Sequence, residues 1–162
     1  MQFSSFEHLR AHVGQEIALS DWFLVTQERV DQFAQVTSDP DWMHIDVERA
    51  KAGPVGQTIA QGFLTLSLLM YFTHQAAYLP KDVEYALNYG LDRVRWISPV
   101  KVGKRIRNRM TLKAVTSKGH GRFLVTVINT VEIEDESRPA MVAQWLGLLQ
   151  SSTGQTASSR WP

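Results

Sequence analysis

Asp39 and His44 stand five positions apart in the loop Ser38-Asp39-Pro40-Asp41-Trp42-Met43-His44, which Pro40 stiffens. A carboxylate and an imidazole held together in a partly desolvated cleft can manage two proton transfers on one molecule. The same spacing also fits an aspartate ending a helix beside a surface histidine, because Asp is common in such loops. Both readings stay open on spacing alone. The segment Gly53 to Phe63 follows, and it delivers Gly62 to the start of an apolar helix. There an unpaired N–H can point at an oxyanion, with the positive end of the helix dipole behind it. A residue without Cβ also lets a carbonyl approach closely, although a packing glycine would look the same.

The elements that must position these groups divide the chain in two. Phe6, Leu9 and Val13 give Ser5 to Val13 a helical stripe, and Leu19 to Val25 reads as extended. Thr26 is expected to cap a second helix carrying Val30, Phe33 and Ala34, with Glu28 in its first turn. Pro40 should end that helix by Asp39. Asp46 is placed to cap a short helix stopped by Gly53 and Pro54.

From Val55 to Pro80 no side chain carries a formal charge, and Phe63 to Phe72 is almost wholly apolar. A bilayer span needs about 20 mainly apolar residues, so this shorter run reads as a helix buried in a globule, from Phe63 to about Tyr78. Beyond Pro80 the period becomes two. Strands are expected at Val83 to Tyr89, Val94 to Ile97, Arg105 to Leu112, Phe123 to Ile133 and Ala140 to Leu149.

The fold class is therefore α+β, with a sheet curled around the buried helix. One sheet covers only part of a helix that is apolar all round, so a homodimer is expected. Residues 1–150 form one domain in this reading, and 151–162, small and polar until Trp161, a disordered tail.

The chain has 162 residues, 44% hydrophobic and 20% charged, and no cysteine. That excludes disulfides, a thiolate nucleophile and a zinc–cysteine site. Seventeen basic against sixteen acidic residues leave a net charge of +1, which argues against a nucleic-acid binder. His8, His12 and His120 lack ligand spacing, so no metal is expected. Met1-Gln2-Phe3-Ser4-Ser5 lacks the layout of a signal peptide, which makes the cytoplasm the expected compartment, with no membrane partner. Arg105, Arg107 and Arg109, with Lys101 and Lys104, read as a solvated sheet face; the other reading sets one or two of them on phosphates. Met70, Tyr71 and Phe72 read as core, and His74 as a buried histidine rather than a catalyst.

Three runs carry a resemblance. Asp39-Pro40-Asp41-Trp42-Met43-His44-Ile45-Asp46, then Ala50-Lys51-Ala52-Gly53-Pro54, then Thr58 to Leu66 resemble the MaoC-like dehydratase family. Asn88 to Arg95 adds a likeness to its nodulation-protein-N-like branch. The resemblance implies the hot-dog fold, usually dimeric, and the activity of an (R)-specific enoyl-CoA hydratase. It sets Asp39 and His44 as the catalytic pair and Gly62 as the amide that polarises a thioester carbonyl. The substrate would be an acyl-CoA thioester, with no cofactor beyond the coenzyme A it carries. Asp39 is favoured as base and His44 as proton donor. Ser38, Asp41, Trp42 and Gln61 depart from the family's usual Gly, Asn, Pro and His, and Asp41 adds a second carboxylate near the pair. A thioesterase and a non-catalytic acyl-binding or partner-binding protein are the rivals.

Overall fold

The structure is a computed structural model that describes residues 2–154. Capping side chains set most of the helix starts. Ser5 accepts from the N–H of His8 to open α1, Phe6–Arg10, and Thr26 accepts from Arg29 to open α2, Gln27–Thr37. Asp46 does the same for α4, Val47–Lys51, through Arg49. Between them lies α3, Trp42–Ile45, a single turn inside the stretch that reads as a polar loop. Asp41 caps it, its Oδ1 accepting from the N–H of Met43 at 2.8 Å.

The central helix α5 spans Gly62–Ala76. Leu64, Leu69 and Phe72 are buried against the sheet, each worth about 1.5–3 kcal/mol relative to exposure. The expected extended run from Leu19 to Val25 splits differently: β1 is Glu16–Leu19 and β2 is Phe23–Leu24, both pairing with β4, Arg105–Gly119. The two strands expected near residues 83–97 are one, β3, Val83–Trp96, bent by three register shifts where bulges sharpen the twist. β5 is Arg122–Ile133 and β6 is Met141–Ser151.

The sheet is antiparallel, in the order β1-β4-β5-β6-β3, with β2 alongside β4. Ile106, Met110 and Leu112 of β4, Val127 and Val131 of β5 and Met141 of β6 line its inner face with Phe72. Its edge strand β3 is exposed along most of its length. Among the described residues, no helix is long and apolar enough to cross a membrane. Ser151, counted with the tail in the sequence reading, closes β6, and a short 3-10 turn follows at Ser152–Gly154. The remainder of the expected tail lies outside the described residues.

Candidate active site

Residues 57–61 form a ribbon held on both sides. The N–H of Ile59 donates to the carbonyl of Met43 at 3.0 Å, and the N–H of Ala60 donates to Val100 at 2.8 Å. Val102 donates to Thr58 at 3.0 Å from the same side as Val100. This ribbon feeds directly into α5, so the position of Gly62 is fixed by two neighbours distant in sequence.

His44, the third residue of α3, is tied to that ribbon. Its Nδ1 lies 2.7 Å from the carbonyl oxygen of Ile59. A carbonyl only accepts, so Nδ1 carries the hydrogen, and in a neutral imidazole Nε2 keeps a free lone pair. Gln27 supports the arrangement from α2: its Nε2 donates to the main-chain carbonyl of His44 at 2.7 Å, while its Oε1 accepts from the hydroxyl of buried Thr58 at 2.6 Å. Gln27 went unread in the sequence, where it is only a polar residue in a first helical turn.

His44 and Gly62 line one cavity of about 290 Å³, with Ile59, Thr65, Trp96 and Val100 among its walls. As the first residue of α5, Gly62 offers an N–H that no helical carbonyl can reach. Gln61 precedes it at the cap position and makes no capping hydrogen bond. Its side chain is buried and turned away, with Nε2 donating to the carbonyl of Val30 at 3.2 Å. A second cavity, about 570 Å³, flanks the later turns of α5 between Met70, Thr73, His74 and the strand residues Ala86, Val127 and Trp145. Of the residues read as core, Phe72 is fully buried, while Met70 and Tyr71 are exposed, Tyr71 with its ring against Phe23; His74, expected to be buried, is exposed too, because it lies on the outward side of α5.

Asp39 stands apart from the first cavity's lining. It is half-buried just beyond α2, where its N–H donates to the carbonyl of Ala34 at 2.9 Å. Its carboxylate has no hydrogen-bond or ion-pair partner among the described residues. Ser38 closes α2 in the left-handed conformation, at φ 55° and ψ 41°, which explains why a glycine suits that position. Asp41, beyond it, spends an oxygen on the α3 cap. Trp42 covers Gly53, and the guanidinium of Arg49 lies 4.5 Å from its ring centroid.

The three arginines of the basic strand are all paired. Arg105 pairs with Glu134, Arg107 with Glu132 at 2.7 Å, and Arg109 with both Glu132 and Glu16. Partial burial pushes the Glu132 carboxyl up, but the hydrogen bonds from Arg109 and Arg107 outweigh it and hold it below the usual carboxylate range. Each arginine already faces a carboxylate, which matches the solvated-face reading.

The family model described as "MaoC like domain" matches residues 8–135. The chain belongs to the MaoC-like domain family. It is 47% identical over 142 residues to the 3-hydroxyacyl-thioester dehydratase Z of Mycobacterium tuberculosis, covering 88% of this chain and 93% of that one. It is 42% identical over 147 residues to Nodulation protein N of Rhizobium leguminosarum, covering 90% and 91%. An R-hydratase from Pseudomonas aeruginosa, solved without ligand, superposes with a TM-score of 0.74 at 17% identity, covering 100% of this chain and 96% of that one. At that identity the match speaks to fold alone. The sheet around α5 is the hot-dog arrangement of this MaoC-like family.

Proposed function

We propose that this MaoC-like protein catalyses the reversible hydration of trans-2-enoyl-CoA to (3R)-hydroxyacyl-CoA. The observation that carries the reading is the shared cavity, lined by both His44 and Gly62, the first residue of the central helix. The 47% identity to a protein named for dehydrating hydroxyacyl thioesters supports the substrate class.

His44 takes a proton from water through Nε2 as the water oxygen bonds to the β-carbon. Its Nδ1–H stays on the Ile59 carbonyl, which steadies the imidazolium that forms. This apportions the roles opposite to the sequence reading, with His44 rather than Asp39 as base. Asp39, which lies just outside the shared cavity's lining, accepts only a hydrogen bond from the water's second O–H, and that hydrogen stays on oxygen as the product hydroxyl. Electrons displaced from the double bond reach the thioester oxygen, where the Gly62 N–H opposes the growing charge; one such donor is worth about 3 kcal/mol. The proton held by His44 then passes to the α-carbon as the enolate collapses. The apolar walls of the 570 Å³ cavity suit the acyl tail. No cofactor beyond the substrate's own coenzyme A enters these steps.

The working unit in this proposal is a homodimer. Phe63, Met70 and Tyr71 of α5 and Tyr85, Tyr89 and Leu91 of the edge strand β3 are all exposed, Phe63 by 65% and Tyr89 by 62%. A long free edge bearing such groups invites pairing with a second copy. Sedimentation of the protein should give twice the chain mass, and a chain mass alone would remove the dimer from the proposal.

The reaction is tested by offering trans-2-enoyl-CoA and following both loss of the conjugated double bond and appearance of free thiol. Loss of conjugation without thiol is expected, with His44→Ala and Asp39→Asn each reducing the rate by about 100-fold or more. Thiol release without hydration would mean a thioesterase. Silence in both channels would leave an acyl-binding protein, and wild-type rates in both variants would remove the assigned pair.

A further inference from the structure

Gly62 sits in a backbone conformation open to any residue, since its φ lies outside the left-handed region. Space, not the main chain, demands glycine. A Cβ at this position would stand 2.8 Å from Nε1 and 3.0 Å from Cε2 of Trp96. The indole fills the place of the missing side chain.

Trp96 is the last residue of β3, 34 positions along the chain. Its Nε1–H donates to the carbonyl oxygen of Gly62 at 2.8 Å, and its ring leans on Phe63 with centroids 5.3 Å apart. The same indole lines the cavity that holds His44. Meanwhile the helix start has no cap of its own, because Gln61 makes no side-chain cap hydrogen bond. An uncapped first turn beginning with glycine is the part of a helix most prone to fray. An amide that opposes developing charge works only if it is already aimed.

We infer that Trp96 is a positioning residue, a latch from β3 that holds the first turn of α5 so that the Gly62 amide keeps its aim. The inference rests on the reading of Gly62 as the enolate's hydrogen-bond donor. That donor acts chiefly in the transition state, so loosening it lowers kcat and spares KM.

Trp96→Phe keeps an aromatic ring at this position but removes the N–H together with the pyrrole part of the indole that faces Gly62. It should lower kcat for enoyl-CoA hydration about tenfold, with KM within about twofold of wild type and little change in Tm. Trp96→Ala, which loses ring and N–H together, should lower kcat further. Amide hydrogen exchange gives a readout that needs no turnover. The Thr65 amide, which donates to the Gln61 carbonyl at 3.2 Å across the first turn, should exchange about tenfold faster in Trp96→Phe. Unchanged exchange at Thr65 overturns the latch, as does wild-type kcat in Trp96→Phe or a loss of kcat matched by a loss of folded protein. If wild type hydrates no enoyl-CoA, the proposed reaction fails by itself, and the exchange rate then decides the latch.

Discussion

Gln27 reaches across 17 positions of sequence to donate to the carbonyl of His44 at 2.7 Å. The same amide group accepts from the Thr58 hydroxyl, so one side chain joins α2, the histidine turn and the ribbon before α5. Gln27→Ala leaves the Thr58 hydroxyl buried without a partner, a loss of about 1–3 kcal/mol that urea unfolding would register. Hydration should slow by more than the folded fraction declines, because His44 loses a support. A slowdown that only tracks folding would confine Gln27 to stability.

Ser38 holds a left-handed conformation that costs a residue with a Cβ about 1–2 kcal/mol. Ser38→Gly removes that cost and adds some freedom to the unfolded chain. A net gain of about 1 kcal/mol should raise Tm by about 3 °C in a chain of this size, measured by calorimetry. An unchanged or lower Tm would show that the serine hydroxyl does more for the α2 terminus than its backbone angle costs.

Asp41 opens α3 by accepting from the Met43 amide, a task an asparagine oxygen performs equally well. Asp41→Asn should therefore hold Tm near wild type, and Asp41→Ala should lose about 1 kcal/mol. Equal losses in the two variants would shift the importance of Asp41 from its oxygen to its charge.

Glu132 has its carboxyl lowered in the folded protein by Arg109 and Arg107 against the opposing effect of burial. A carboxyl lowered by folding contributes stability that is full above its unfolded pKa and is lost as pH falls through the folded value. Thermal melts should therefore show Glu132→Gln less stable than wild type at neutral pH, with the two Tm values converging as acid protonates the wild-type carboxyl. Parallel curves across that acid range would place the pH dependence on other groups.

The sequence made the local parts readable. Thr26 and Asp46 were legible caps because a cap is a matter of one side chain and an amide three residues on. The alternation from Arg105 to Leu112 marked a strand face, and the uncharged run from Val55 to Pro80 marked the central helix. The single turn α3 was missed because four residues are too few to show a period. Asp39 and His44 were paired by spacing and resemblance, yet only His44 joins Gly62 at the cavity wall. The bonds from Gln27 to Thr58 and from Trp96 to Gly62 cross 31 and 34 positions and follow no local rule. Such ties exist only once the sheet has brought distant segments together.

The order of elements has a consequence for synthesis. α5 ends at Ala76, while two of the strands that cover it, β4 and β6, finish at Gly119 and Ser151. A ribosome adding about 5–20 residues per second takes about 4–15 s to supply that remaining chain. For part of that interval the most apolar helix of the protein stands outside the ribosome without its full cover. A fast-binding chaperone that recognises short apolar segments therefore meets α5 before the sheet does, and should raise the yield of folded protein more than its final stability.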